Sequence, residues 1–344
     1  MKNLGIKKKR PAMKTTVFIL ITLHLFFTFG LTYNPRTLAV FGSQQVKVRR
    51  FSGAKMGDAD DDPFAVFDEE VDVAATQPNA PARDAANGPM SFHEGVEQAL
   101  LQHVKNNFTA KDEASRSAAV IDCIDAYCMN VHWMMHVGFE KGAILADFMD
   151  KCLQSYQESS ASDEPFIVVE IGTYCGYSAI RLLHQIRSNL QKDQNFHLLT
   201  VDVNPRHQSV ARQLVDLAGL SDHVTFLLLE QSTIGEVISE AMTEMFPNVP
   251  VRFVFLDHEK ELYLSDLQNL ERAKIIKKGC YVAADNVVVF QIDDYRHYLA
   301  QLATVGVVET KLHMGHLEYI NVATEGHLKD GLECTIYQKN PPLI

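Results

Sequence analysis

Short apolar runs and amphipathic segments alternate through the second half of the chain. Runs rich in β-branched and aromatic residues, which predict buried strands, lie at about 166–171, 197–203, 223–229, 251–257 and 279–285. Segments with apolar residues at helical spacing lie between them, at about 176–190, 205–219, 232–245 and 262–276. A last helix near 291–303 precedes two strands, at about 306–314 and 331–338. The pattern predicts an α/β fold with a mostly parallel seven-stranded sheet and helices on both faces.

Three more amphipathic helices are predicted before the first strand. Their apolar positions recur at helical spacing over His93–Asn107, Asp112–Met129 and Lys141–Gln157. These helices adjoin the alternating region without an intervening linker. We therefore expect one folded domain over residues 92–344, with extra helices at its N-terminal end.

A basic tip and an apolar run open the chain. Lys7–Arg10 precede Val17–Leu31, a run of about the length that spans a bilayer, and no clear signal-peptidase site follows at once. Residues 1–43 are therefore interpreted either as a membrane anchor or uncleaved signal, or as a cleaved signal or organelle-targeting segment. If the segment is an anchor, the basic cluster would hold the N-terminus in the cytosol, and the body would be on the opposite side of an endomembrane or at the cell surface.

The composition of residues 44–91 predicts a linker, and the distribution of charge argues against one class of function. Residues 44–91 are rich in Gly, Pro, Ala and acidic residues without a period, which is typical of a disordered acidic linker. The net charge is −11, but the first 50 residues hold ten Lys or Arg and no acidic residue. The remaining chain has 22 basic and 43 acidic side chains. Such an acidic body argues against nucleic-acid binding, which needs a basic face.

The segment Phe166–Ser178 carries the first candidate site. Its strand ends at Glu170, and Gly172 and Gly176 bracket a tight turn before the next helix. Such a turn lets the backbone approach a ligand, and the helix start offers free N–H groups. Tyr174 stands where the dinucleotide fingerprint needs glycine, so the segment instead resembles the first motif of S-adenosylmethionine-dependent methyltransferases. A strand–turn–helix without a ligand remains the alternative.

Further acidic residues close the neighbouring strands, where ligands of such sheets bind. Asp202 ends the second strand, at the position of a ribose-binding acid. Asp257, Asp285 and Asn286 end two later strands and offer the hard oxygen ligands that suit Mg²⁺. Lys260 would lie beside such a metal and is a candidate general base. Taken singly, these residues could equally form an ion pair, a helix cap or a turn.

Six motifs in order resemble catechol O-methyltransferases over about residues 92–338. They are HWMMHVGFEKG (132–142), VVEIGTYCGYSA (168–179), VDVNP (201–205), LDHEKELYL (256–264), AADNV (283–287), and HLEY (316–319) with DGLECTIY (330–337). The resemblance implies a Rossmann-like methyltransferase fold and a monomeric catalytic domain. It also implies a Mg²⁺-dependent transfer of methyl from S-adenosylmethionine to one hydroxyl of a catechol-type acceptor.

The resemblance also assigns roles to individual residues. It makes Asp257, Asp285 and Asn286 metal ligands, Lys260 the base, and Glu318 the acid that binds the second catechol hydroxyl. Around the donor it places Val137, Glu170, Gly172, Tyr174, Ser178, Asp202, Val203, Gln231, Ser232, Asp257 and His258. Around the acceptor it places Trp133, Lys260, Asn286, Phe290 and Glu318.

The sequence departs from the family pattern at three places near the predicted donor and acceptor sites. Glu259 stands where the family commonly has Trp, and Phe290 replaces the usual proline. The Ser-Gln pair expected near adenine is reversed, as Gln231-Ser232. The alternatives are therefore a methyltransferase acting on another vicinal-diol aromatic, such as a caffeoyl ester or flavonoid, and a non-catalytic binding protein on the same fold.

Overall fold

The computed structural model of the protein describes residues 95–159, 164–191, 193–319 and 328–342. Its seven strands are β1 (Phe166–Ile171), β2 (Phe196–Asp202), β3 (Val224–Leu228), β4 (Val251–Leu256), β5 (Tyr281–Ala284), β6 (Val308–His316) and β7 (Lys329–Tyr337). Its eight α-helices are α1 (Val96–Asn107), α2 (Arg116–Asn130), α3 (Gly138–Glu158), α4 (Tyr177–Asn189), α5 (Pro205–Leu217), α6 (Ile234–Met245), α7 (Tyr263–Arg272) and α8 (Asp293–Thr304). The tip, apolar run and linker predicted within residues 1–91 lie outside the described residues.

One sheet joins all seven strands in the order β3-β2-β1-β4-β5-β7-β6. The five strands from β1 to β5 pair in parallel, whereas β7 pairs antiparallel with both β5 and β6. This topology confirms the predicted α/β fold and its mostly parallel seven-stranded sheet. No helix within the described ranges is long and apolar enough to cross a bilayer.

The starts of the first three helices differ from the sequence prediction by three or four residues, and the first helix begins at Val96 rather than 93. The second helix begins at Arg116 rather than near 112, because Ser115 Oγ accepts hydrogen bonds from the backbone N–H groups of Lys111 and Asp112. Asp112 Oδ1 accepts from Ser115 N in return, which holds this segment as a turn. The third helix begins at Gly138 rather than 141 and directly follows the buried Val137.

The central strands bring their carboxyl ends to one edge of the sheet. Every residue of β1 is buried, as a strand covered on both faces requires. The backbone N–H of Gly172 donates to Val201 O (2.9 Å), that of Asp257 to Ile171 O (2.8 Å), and that of Asp285 to Leu256 O (3.0 Å). The residues that follow β1, β4 and β5 are therefore held side by side, where ligands of doubly wound folds bind.

Candidate active site

The turn after β1 is built against the end of β4. Gly172 has a left-handed φ of +99°, and a β-carbon at this position would collide with the main-chain carbonyl of Asp257. Glycine is therefore required both by the conformation and by the close approach of the two backbones. The segment predicted to bind the donor thus lies in direct contact with a predicted metal ligand.

Asp202 is held by the same turn. Its Oδ2 accepts a hydrogen bond from Tyr174 N (2.8 Å), and its Oδ1 accepts from Asn204 N (2.7 Å). Tyr174 adopts a positive φ of 44°, which is uncommon outside glycine. The Tyr174 hydroxyl donates to Glu97 Oε1 on α1 at 3.2 Å. The predicted ribose-binding acid is thereby fixed by the turn, and the turn is fixed by the first helix.

Glu170 is a fully buried carboxyl group beneath this turn. Thr200 Oγ1 donates to Glu170 Oε2 (2.6 Å), and Thr200 Oγ1 lies 2.6 Å from Thr173 Oγ1. Burial raises the pKa of Glu170 to about 8, although hydrogen bonds from Ser178 and Thr200 act in the opposite direction. A carboxyl group with such a pKa exchanges its proton in the neutral range.

Two carboxylates and an amide follow β4 and β5, as the sequence predicts. Asp285 Oδ1 accepts hydrogen bonds from Lys141 Nζ (2.7 Å) and from Asn286 N (2.8 Å). Its second oxygen, Oδ2, is buried and has no hydrogen-bond partner among the described residues. Asn286 adopts a positive φ of 61°, a conformation that asparagine tolerates better than most residues. Asp285 therefore keeps one oxygen available for a cation.

Lys141 is a buried cation that the sequence analysis did not identify. Its Nζ lies 2.6 Å from Asp330 Oδ2, 2.7 Å from Asp285 Oδ1 and 3.1 Å from Glu318 Oε2. Burial disfavours the ammonium, but the carboxylates outweigh burial and raise the pKa of Lys141 well above its usual value. A lysine in an amphipathic helix is typical of a solvated face, so periodicity gave no sign of this role. The Asp330 that begins DGLECTIY was the available clue, since an acid in a buried strand needs a partner.

Lys260 lies beside the other proposed metal-binding carboxylate, that of Asp257. Its Nζ donates to Asp257 Oδ1 (2.8 Å) and to the hydroxyl of Tyr263 (2.9 Å). That hydroxyl also lies 2.9 Å from Leu256 O and 3.1 Å from Asp285 O. Burial raises the pKa of Tyr263 well above its ordinary value, so the phenol stays neutral. Tyr263, which the sequence analysis missed, therefore links Lys260 to the ends of β4 and β5.

Trp133 is the predicted acceptor residue that contacts Glu318. Trp133 is buried, and its Nε1 donates to Glu318 O at 3.0 Å. A β-carbon on Gly138, whose φ is +71°, would lie 2.7 Å from Glu318 Cβ. Phe290 is 47% exposed, and its ring centre lies 5.9 Å from Lys260 Nζ. Trp133 therefore lies beside the predicted acceptor acid, and Phe290 lies beside the predicted base.

The remaining residues predicted to bind S-adenosylmethionine differ in burial and in their contacts. Val137 is buried at the start of α3. His258 stacks on Tyr263, and its Nε2 lies 2.9 Å from Asp266 Oδ2. Val203 is 70% exposed, and Gln231 and Ser232 are exposed in the segment after β3. Their predicted contacts with adenine and ribose stay predictions.

The side chains of Asp257, Asp285 and Asn286 offer carboxylate and amide oxygens, which are the ligands that magnesium prefers. In the described part of the chain, no three His, Cys, Asp or Glu side chains are arranged as a metal cage. Asp257, Asp285 and Asn286 supply only two carboxylates and one amide, a set that leaves positions for water and substrate oxygens. Burial raises the pKa of Asp285 and of Glu318, so a further cation beside Lys141 would help to keep both ionised.

Comparisons with known proteins agree with this architecture. Residues 169–287 match the family model described as a methyltransferase domain. The chain is 32% identical over 249 residues to catechol O-methyltransferase of Mus musculus, covering 70% of this chain and 78% of the relative. It is 32% identical over 211 residues to catechol O-methyltransferase of Sus scrofa, covering 59% and 94%. It is also 28% identical over 169 residues to transmembrane O-methyltransferase of Homo sapiens, covering 49% and 51%. The chain therefore belongs to the catechol O-methyltransferase family and is an O-methyltransferase.

Proposed function

We propose that this enzyme transfers a methyl group from S-adenosylmethionine to one hydroxyl of a catechol-type acceptor in a Mg²⁺-dependent reaction. The observation that carries the proposal is the free Oδ2 of Asp285. It is a buried carboxylate oxygen without a partner among the described residues, at a sheet edge shared with Asp257 and Asn286. An unpartnered buried carboxylate oxygen is costly unless a ligand completes it.

The donor is proposed to lie over the turn after β1. Gly172 and Tyr174 shape that turn, and the Asp202 carboxylate beside it is the proposed ribose partner. Glu170 lies beneath the same turn, where its carboxylate form would favour the cationic donor. Ser178, in the first turn of α4, and Val137 complete the proposed methionine end.

Asp257, Asp285 and Asn286 are proposed to hold the metal. A Mg²⁺ at this position would favour ionisation of a phenolic hydroxyl and fix two vicinal oxygens. The protein contributes the geometry, because Asp257 and Asp285 directly follow strands of the rigid sheet core and Asn286 is the next residue after Asp285.

The proposed transfer is a direct displacement. Lys260 accepts the proton of the reacting hydroxyl, and Glu318 accepts a hydrogen bond from the second hydroxyl. The phenolate oxygen forms a bond to the methyl carbon while the carbon–sulfur bond breaks. The electron pair of that bond stays on sulfur, so the donor leaves as the neutral thioether S-adenosylhomocysteine. Trp133 and Phe290 are proposed to orient the acceptor ring.

An acceptor panel tests this assignment. Labelled S-adenosylmethionine would be incubated with Mg²⁺ and matched pairs of acceptors, namely a catechol and the phenol that lacks one hydroxyl. We expect transfer to the catechol and at least roughly 10²-fold less to the phenol, because the phenol loses one bound and oriented oxygen. Equal transfer to both would contradict a catechol-type acceptor.

Glu259 and Phe290 favour a second candidate acceptor class. The structure leaves Phe290 half exposed beside Lys260, and Glu259 directly precedes that lysine in the sequence. These features suit a larger vicinal-diol aromatic, such as a caffeoyl ester or flavonoid, whose second part packs on the Phe290 ring. Including both compounds in the panel separates the two classes, because this candidate requires a higher kcat/KM for them than for catechol itself.

For the N-terminal residues we propose a membrane anchor within 1–43 and an acidic linker over 44–91, ahead of a monomeric catalytic domain. The basic cluster before Val17–Leu31 supports this assignment. The full-length protein should sediment with membranes and resist high salt, because an anchor is held by apolar burial. Release by salt would indicate a peripheral attachment, and a shortened soluble form would indicate a cleaved signal.

A further inference from the structure

Asp330 is a fully buried carboxylate on β7 that faces the proposed metal ligands. Its Oδ2 accepts hydrogen bonds from Lys141 Nζ (2.6 Å) and from the side-chain amide Asn286 Nδ2 (2.7 Å). Its Oδ1 accepts from the backbone N–H of Val289 at 3.2 Å. All three of these neighbours are N–H donors, and the one at the shortest distance is the ammonium of Lys141. Asp330 is therefore an anion that only accepts hydrogen bonds.

This contact fixes the orientation of the Asn286 amide. An ionised carboxylate has no proton to donate, so only the NH₂ end of the amide can face Asp330. The amide oxygen must then point away from Asp330. Oxygen is the atom of this amide that a magnesium ion binds, whereas the NH₂ group is not a ligand. Asp330 thus selects the side-chain orientation that a metal ligand needs.

Lys141 contacts Asp285 and Glu318 in addition to Asp330. Its Nζ donates hydrogen bonds to Asp285 Oδ1 and Asp330 Oδ2, and it lies 3.1 Å from Glu318 Oε2 as an ion pair without a hydrogen bond. By binding Asp285 Oδ1, it leaves Oδ2 as the free oxygen. A single buried cation therefore orients one proposed metal ligand and the proposed acceptor acid together.

We propose that Asp330 and Lys141 form a positioning pair that sets Asn286, Asp285 and Glu318 for metal and acceptor binding. This inference rests on the proposed function, because it takes Asn286 and Asp285 as metal ligands. Neither Asp330 nor Lys141 contacts a substrate in this account. Partners that orient metal ligands typically change metal affinity or activity by about 10–100-fold when removed.

The test measures metal binding directly rather than turnover. Mn²⁺ would be titrated into the full-length protein with saturating S-adenosylhomocysteine and no acceptor, and free Mn²⁺ would be followed by electron paramagnetic resonance. We expect Asp330→Asn to weaken Mn²⁺ binding by about 10–100-fold. Binding of S-adenosylhomocysteine should change less than about threefold, which also reports that the variant is folded.

Glu333 on the same strand provides the matched control. It is also a buried acid, but it pairs with Arg296 (3.3 Å) and accepts from Thr310 Oγ1 (2.7 Å), both outside the proposed site. Glu333→Gln therefore removes a comparable buried charge from β7. We expect it to lower the thermal midpoint while leaving Mn²⁺ affinity within about threefold of the wild-type value.

A double-mutant cycle separates positioning from a general structural effect. If Asp330 acts by orienting Asn286, the Asp330→Asn effect on Mn²⁺ affinity should shrink in an Asn286→Ala background. Full additivity, or unchanged Mn²⁺ affinity in Asp330→Asn, would overturn the positioning role while leaving the proposed function intact. A wild-type protein that binds no Mn²⁺ would overturn the metal assignment and the positioning pair together.

Discussion

Gly172 and Asp257 join the proposed donor site to the proposed metal site through their backbones. A β-carbon at Gly172 would lie 2.6 Å from the carbonyl carbon of Asp257 and 2.9 Å from His258 N. These atoms belong to main chain at the end of a central strand, so they cannot move aside as a flexible side chain could. The turn after β1 and the end of β4 therefore form one rigid unit.

Gly172→Ala should consequently disturb both the proposed donor site and the proposed metal site. The φ of +99° alone costs an L-residue at least about 1–2 kcal/mol, and the collision with Asp257 adds to it. We expect a lower free energy of unfolding by urea denaturation and weaker binding of S-adenosylmethionine. Gly279→Ala is the control, because Gly279 also has a positive φ (+86°) but no atom lies within 4 Å of the added carbon. Equal losses in the two variants would show that the close approach is unimportant.

Tyr263→Phe tests how Lys260 is held in place. The variant removes the hydroxyl that accepts from Lys260 Nζ and contacts two strand-end carbonyls. A lost hydrogen bond of about 0.5–1.5 kcal/mol corresponds to a roughly 2–10-fold lower kcat. Steady-state kinetics with a catechol acceptor would measure this change.

Tyr295→Phe is the matched variant for this experiment. Tyr295 is fully buried and packs edge-on against Tyr263 at 5.7 Å, and its hydroxyl has no hydrogen-bond partner among the described residues. Its kcat should therefore stay at the wild-type value. A kcat in Tyr263→Phe that equals that of Tyr295→Phe would remove Tyr263 from the positioning of the base.

Lys260→Ala should lower the turnover rate by roughly 10²–10⁴-fold, the usual cost of losing a general base. Lys260 is the lysine whose Nζ contacts Asp257 at 2.8 Å, whereas Lys141 is surrounded by carboxylates and serves a different role. Binding of S-adenosylmethionine, measured by calorimetry, should be largely kept. Unchanged single-turnover rates in the variant would exclude Lys260 as the base.

Donor affinity should rise with pH across the neutral range. The pKa of Glu170 is raised to about 8 by burial, with Asp257 and Asp202 adding to the shift. Below that pH the folded protein keeps Glu170 protonated, and the cationic sulfonium of the donor favours the ionised form. Affinity should therefore increase from pH 6 to about 8, by at most about tenfold per pH unit, and then level off. Calorimetric titrations at each pH would measure the affinity for S-adenosylmethionine.

The same shift has an opposite effect on stability. A carboxyl group whose folded pKa lies above its unfolded value loses stabilisation as pH rises between the two, here from about 4.5 to about 8. Glu170→Gln should remove most of the pH dependence of both donor affinity and unfolding. Wild-type affinity that is equal at pH 6 and pH 8.5 would contradict the role of Glu170 beneath the donor.

The sequence predicted the sheet and the positions of the strand-end acids because both follow from local patterns. Apolar runs identify buried strands, and the residues after Ile171, Leu256 and Ala284 then share one edge. The Lys141–Asp330 contact was beyond such reasoning, since it joins residues 189 positions apart. Tyr263 was missed for a related reason. In the sequence it looks like any aromatic residue on the buried face of an amphipathic helix. Contacts between side chains of distant segments depend on tertiary packing, which periodicity does not report.

Removing and restoring magnesium tests whether this enzyme needs the metal for methyl transfer. The purified protein would be stripped with a chelator, and methyl transfer from labelled S-adenosylmethionine to a catechol would be measured before and after addition of Mg²⁺. We expect transfer to fall to background in the stripped protein and to return with Mg²⁺, but not to return in Asp285→Ala. Full transfer by the thoroughly stripped wild-type protein would contradict the metal requirement.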